Sequence, residues 1–153
     1  MTYQCPACTA GLNNFTLGTM NFMRVLVTGW RHWPRTEAHQ IHQKLEYIQR
    51  INPDDILVIV EGACHRGGVD QYAYEWAVGQ NSPRVLSERH PATFSSDGRV
   101  QGPQRNSHMV SLGVDILLSF PESGTQQTGG TWDCTRKAKQ TGCPSILTPY
   151  RVE

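Results

Sequence analysis

Four short segments concentrate the residue types that hold an anion. TGWRHWP (28–34) sets Gly29 and Trp30 ahead of Arg31 and His32, and EGACHRGGVD (61–70) surrounds Cys64, His65 and Arg66 with Gly62, Gly67 and Gly68 before closing on Asp70. GPQRNSHM (102–109) carries Arg105 and Asn106, and SGTQQTGGTWDC (123–134) brings Gly129, Gly130 and Thr131 into a segment that includes Asp133. Glycine lets the main chain come close to a ligand, and the unpaired amides at the start of a helix favour negative charge. Guanidinium groups add bidentate contacts to phosphate or carboxylate. The predicted chemistry is recognition of an oxyanion, a phosphate, with Asp70 placed to accept hydrogen bonds from ribose hydroxyls. Each segment also has a plainer reading. Gly29 by itself fits an ordinary turn, Arg105 fits a solvated charge, and an acid such as Asp70 in the first turn of a helix steadies the dipole with no ligand at all. No lysine follows the glycines at 129–130, so the pattern is not a P-loop.

The elements between these segments must position them. Strand-like runs occur at 24–28, 56–60, 84–88, 115–120 and 145–148, each followed by a polar or glycine-containing loop. Helical patterns fill the gaps. In TEAHQIHQKLEYIQRI, Ile41, Leu45 and Ile48 share one face, Thr36 is placed to cap the start and Asn52-Pro53 ends the run. Val69, Ala73, Trp76 and Ala77 mark a second helix, Met109 and Leu112 a third, and the segment from 130 to Thr141-Gly142 a fourth. This alternation predicts an α/β, Rossmann-like, doubly wound domain: a mostly parallel sheet of about five strands with helices on both faces. In such sheets ligands bind beyond the carboxyl ends of the strands, where all four segments fall. The domain is expected to span 23–153, with residues 1–22 a polar, flexible extension.

Composition bounds the partners. The 153 residues carry 14 Lys plus Arg against 13 Asp plus Glu, so no broad attraction to nucleic acid or to an anionic membrane follows, and any anion site is local. No apolar run reaches transmembrane length. Five cysteines form an odd set with no secretory leader ahead of them, which predicts reduced thiols in a cytoplasmic protein. Cys5 and Cys8 have the spacing of half a zinc knuckle without a matching pair, and His39 and His42 at helical spacing fit surface residues, so neither a metal nor a cofactor is expected.

Taken in order, VLVTGWRHW, VEGACHRGGVDQYAYEWA, HPATF with GPQRNSHMV, and DILLSFP followed by GGT resemble the SLOG superfamily of Rossmann-like proteins, and within it the YspA-type branch common in actinobacteria and their phages. The resemblance covers about Met23 to Pro149. It implies a nucleotide-binding protein that senses or sequesters a phosphorylated ribonucleoside, ADP-ribose-like or a signalling nucleotide. The superfamily also contains the LOG phosphoribohydrolases, which cleave cytokinin riboside monophosphates into base and ribose phosphate, and DNA-processing relatives. Arg105 and Met109 match the Arg-Lys-x-x-Met stretch of the LOG enzymes, which implies a catalytic Arg105, with Asn106 in place of the lysine. Pro121 and Gly130-Thr131 match the ends of the LOG loop Pro-Gly-Gly-x-Gly-Thr-x-x-Glu across a longer insert. Cys134 occupies the position of the catalytic glutamate, and Asp133 lies one residue earlier. These departures rank binding above hydrolysis. Were the chain a hydrolase, Asp133, Asp70 or Glu61 would supply the carboxyl, and spacing does not select among them. A DNA-processing interaction module is the third alternative, opposed by the balanced charge. A homo-oligomer is expected because LOG relatives assemble.

Overall fold

The computed structural model describes residues 20–124 and 126–152. Cys5, Cys8 and the expected extension up to residue 19 lie outside the described residues. The elements run β1 (Phe22–Gly29), a 3-10 turn (Arg35–Glu37), α1 (Ala38–Ile51), β2 (Ile56–Glu61), α2 (Val69–Gly79), β3 (Val85–Arg89), α3 (Gly102–Ser111), β4 (Ile116–Phe120), α4 (Gly130–Gln140) and β5 (Ser145–Leu147). The five strands form one sheet in the order β3-β2-β1-β4-β5, and every neighbouring pair is parallel. This is a Rossmann-like α/β fold.

Strand periodicity divides the core into two layers. Val25, Val27, Leu57, Ile59, Leu118 and Phe120 point to the face covered by α1 and α2, where Ile41, Leu45, Ile48, Val69, Ala73 and Trp76 meet them. Their sequence neighbours Leu26, Val58, Val60 and Leu117 point to the other face and pack with Met109 of α3 and with Cys134 and Ala138 of α4. Both faces are therefore covered, and all six residues of β2 are buried. Leu45 is wholly buried, and burial of a side chain of that size contributes roughly 1.5–3 kcal/mol.

The first helix starts later than its sequence suggests. Thr36 does not cap it. Pro34 sits at φ −62° and the Glu37 amide donates to its carbonyl at 2.9 Å, so a 3-10 turn takes up the expected first turn and α1 begins at Ala38 with no side-chain cap. Trp33 is buried beneath this turn, its Nε1 donating to the Glu37 carbonyl at 3.0 Å. At the far end the expected stop is present: Asn52 Nδ2 donates to the carbonyl of Ile48 at 2.9 Å.

Across the sheet, Arg24 on β1 reaches over β2 to make a bidentate pair with Glu88 on β3, at 2.6 and 2.8 Å. The Arg24 hydrogen bonds pull the Glu88 carboxyl down to about 2, against partial burial and with help from His90. The strand order reverses between β1 and β4, and the Trp30 amide crosses that seam to the Phe120 carbonyl at 2.9 Å. A crevice must open there, because the chain leaves β1 and β4 toward opposite faces.

Candidate functional site

A cleft of about 380 Å3 lies at that seam. Its walls come from the end of β1 and the following loop (Thr28, Gly29, Trp30, Arg31, His32), from Cys64 and Asp70 after β2, from Arg105 and Asn106 on α3, and from Glu122 and Thr128–Thr131 ahead of α4. Of the residues singled out from the sequence, it gathers Gly29, Trp30, Arg31, Asp70, Arg105, Asn106, Gly129, Gly130 and Thr131. Arg66, Gly67, Gly68, Gly62 and Asp133 are not in the lining, and each has another place.

Two of those glycines are packing devices. At Gly68 the backbone takes φ +70°, and a Cβ would stand 2.5 Å from the main chain of Arg31. At Gly29, which does line the cleft, a Cβ would fall 2.5 to 2.7 Å from the side chain of Val69. Together they let the loop after β1 lie directly on the start of α2, with the Val69 amide facing the Trp30 carbonyl at 3.4 Å. Gly67 has open space around it, and Arg66 is exposed on the outer turn of the same loop.

Gly62 seats Arg105. The guanidinium lies against Gly62, where a Cβ would collide with it. Nη1 of Arg105 donates to the carbonyls of Gly62 and, at 3.2 Å, of His90, while Nε donates to Asn106 Oδ1 at 2.9 Å. Asn106, only 2% exposed, turns its amide nitrogen to the Gly130 carbonyl at 3.2 Å and to Asp133 Oδ2 at 3.0 Å, which ties α3 to the start of α4. Asp133 is also held by Lys137 at 2.9 Å. Partial burial works against its ionisation, yet the bonds from Asn106 and Lys137 outweigh it and hold the carboxyl below its usual range.

The amino end of α4 opens on the cleft. Gly129 takes φ +89°, a conformation that favours glycine, and among the described residues no side chain caps the helix. The preceding loop is moored by Arg136, whose Nη1 donates to the Gln127 carbonyl at 2.9 Å.

Two acids flank the loop after β2, Glu61 at its start and Asp70 in the first turn of α2. Glu61 is fully buried, its carboxylate accepting from Arg89 Nε and from the Ala63 amide, both at 2.5 Å. Ala63 reaches it by adopting φ +48°. Burial raises the Glu61 carboxyl against the pull of these partners. Asp70 is pushed up to about 7, first by burial and then by the charge of Glu61, with Arg105 and the Cys64 amide, 3.2 Å from Oδ2, opposing. Of the three candidate carboxyls, Asp70 is the one that lines the cleft and titrates near neutrality. Cys134, at the position where the LOG motif has glutamate, is fully buried in the α3–α4 layer, and burial pushes its thiol up to about 12.

The aromatic residues divide similarly. Trp30 forms part of the cleft wall and is braced by Tyr150, ring centres 5.4 Å apart, while Tyr150 also meets Trp33 edge-on at 5.0 Å. Trp33 is core and Trp132 lies outside the lining. Thr28, Cys64, Glu122 and Thr128 were not singled out as binding residues by sequence. The only signal of Thr28, Cys64 and Thr128 is membership of the same four segments, and Glu122 directly precedes the fourth.

Among the described residues no group of three or more His, Cys, Asp or Glu is arranged to hold a metal ion, and no helix is long and apolar enough to cross a membrane. Cys64, Cys134 and Cys143 are free thiols.

No family model matches the chain. It is 34% identical over 131 residues to the Gene 61 protein of Mycobacterium phage D29, a match covering 80% of this chain and 94% of the phage protein. The shared span is nearly the whole of that protein, and the chain belongs to the family of the phage D29 Gene 61 protein.

Proposed function

We propose that the chain is a nucleotide-binding protein of the SLOG type, which senses or sequesters a phosphorylated ribonucleoside, ADP-ribose-like or a signalling nucleotide, in the cleft between β1 and β4. One observation carries this reading: the uncapped start of α4 at Gly129–Thr131, the cations Arg31 and Arg105, and Asp70 share a single cavity of about 380 Å3. That volume lies within the range of small-ligand sites, roughly 300–1,000 Å3. Main-chain amides and guanidinium groups suit phosphate oxygens, a polar acid suits ribose hydroxyls, and the flank of Trp30 suits a base. Calorimetric titration with AMP, ADP-ribose and cyclic relatives tests it. Binding that weakens in Arg105→Ala is expected, and no heat at millimolar ligand would remove the reading.

A second reading, hydrolysis of the N-glycosidic bond, draws on the proton that Asp70 retains to about pH 7 in the same cavity as Arg105. In that reaction the water oxygen bonds to the ribose anomeric carbon as the carbon–nitrogen bond breaks, a carboxyl delivers a proton to the departing base, and the proton released by the water restores the carboxyl. Chromatography of incubated nucleotides decides it. Base and ribose phosphate should appear with the wild type and vanish in Asp70→Asn; an unchanged panel of nucleotides rejects hydrolysis and leaves binding standing.

A further inference from the structure

Arg105 stands in the wall of two cavities. On the far side from the cleft is a second one, of about 310 Å3, between the loop that follows β3 and the outer side of α3. Its charged and titratable lining consists of Arg89, Arg105, His90 and His108, with Thr93 and Gln104 as neutral polar neighbours and no carboxylate. The acids nearest to it are already engaged. Glu61 is bound by Arg89, and Glu88 is bound by Arg24 while one of its oxygens lies 2.6 Å from His90 Nε2. The arginines are fixed rather than free to follow solvent: Arg89 lies over the Tyr74 ring at 4.0 Å and donates to Gln71 at 3.2 Å, and Arg105 is held through Nη1 and Nε. Among the described residues, Nη2 of Arg105 makes no hydrogen bond within the protein.

We infer that this second cavity is an anion subsite for a further phosphate of the nucleotide held in the cleft, so that the ligand carries at least two phosphates bridged by the Arg105 guanidinium. The inference rests on the nucleotide reading above and narrows it from monophosphates to di- or polyphosphates. Three of the five guanidinium N–H groups of Arg105 are spent on Asn106, Gly62 and His90, and the two on Nη2 are left, one to serve an oxyanion on each side. Arg105 is held by carbonyl and amide oxygens rather than by a carboxylate, so it meets a phosphate without first breaking an ion pair, while Arg89 beside it keeps its pairing with Glu61.

The test is calorimetric titration of the full chain with AMP, ADP, orthophosphate and pyrophosphate, in the wild type, Gln104→Glu and His108→Gln. Gln104 is exposed in the first turn of α3, where a negative charge favours the helix, so the glutamate variant should fold while placing an anion in the second cavity. ADP is expected to bind about tenfold or more tightly than AMP. Gln104→Glu should reduce that preference to about twofold or less with AMP affinity little changed, and His108→Gln should reduce it in part. Equal affinity for AMP and ADP in the wild type, or a preference that survives Gln104→Glu, overturns the inference and leaves the nucleotide reading intact. Pyrophosphate binding that Gln104→Glu removes, with neither nucleotide bound, sinks the nucleotide reading and keeps the subsite. No binding by any of the four probes overturns both.

Discussion

The guanidinium of Arg105 rests on Gly62, donating to its carbonyl at a point where any side chain would displace it. Residue 62 thus controls the reach of a cation that is distant in sequence. Gly62→Ala is expected to leave the fold in place, because no left-handed backbone conformation is required there, while pushing Arg105 off its seat. Nucleotide affinity should fall about tenfold, the scale of one charge-assisted hydrogen bond. Calorimetry beside a thermal melt checks it: an unchanged dissociation constant in a folded variant would show that the seat does not matter.

Asp70 makes stability depend on pH in an unusual sense for an acid. Its folded carboxyl is raised to about 7, so between its unfolded range near 4 and about pH 7 the native state binds more protons than the unfolded chain. The contribution of Asp70 to stability therefore declines as pH rises through that window and is flat above it. Asp70→Asn keeps an oxygen that can accept from the Cys64 amide and cannot ionise. It should be more stable than wild type at pH 8, by on the order of 2 to 4 kcal/mol, with the gap closing toward pH 4. Urea midpoints across that range measure it.

Glu88 behaves in the opposite sense. Its carboxyl is depressed to about 2, so the stability it lends is present above its unfolded range near 4.5 and is lost as pH falls through about 2. Allowing for solvent access to the pair, with side chains 21% and 30% exposed, Glu88→Gln should cost about 1–2 kcal/mol at pH 7. The difference from wild type should vanish near pH 2 in denaturant titrations. A cost that persists there would assign the effect to packing.

Cys134 should be inert in the folded protein. A fully buried thiol pushed up to about 12 supplies almost no thiolate at neutral pH, whereas Cys64 and Cys143 are partly exposed. Mass spectrometry after native alkylation should find Cys134 unmodified until denaturant is added. Restoring the LOG-type acid with Cys134→Glu should destabilise the fold by about 3 kcal/mol or more, since the new charge would sit among Leu26, Val60 and Met109. A melt for that variant equal to wild type would contradict the burial argument.

The five strands and the later helices were legible because their apolar patterns and glycine-rich exits agree. The start of α1 was not, because a proline-led 3-10 turn can replace a helical first turn without altering the apolar stripe of Ile41, Leu45 and Ile48. In the cleft, Arg31, Asp70, Arg105 and Gly129–Thr131 could be placed together from loop membership alone, since a parallel sheet delivers those loops to one rim. Arg66 belongs to such a loop yet faces outward, and loop membership carries no information about which way a side chain turns. Gly62 and Gly68 read as ligand-facing because glycine is small. Their neighbours, Arg105 and the Arg31 backbone, are remote in sequence and emerge only with tertiary packing. The choice among Asp70, Glu61 and Asp133 depends on burial and on Arg89, Asn106 and Lys137, for which spacing offers no rule.

Tyr150 is moored by its amide to the Pro121 carbonyl at 2.9 Å and braces Trp30 with its ring. Trp30 is made well before its buttress. A chain emerging from the ribosome therefore cannot finish the wall formed by that tryptophan until the segment after β5 has followed, and competence to hold a ligand waits on that contact.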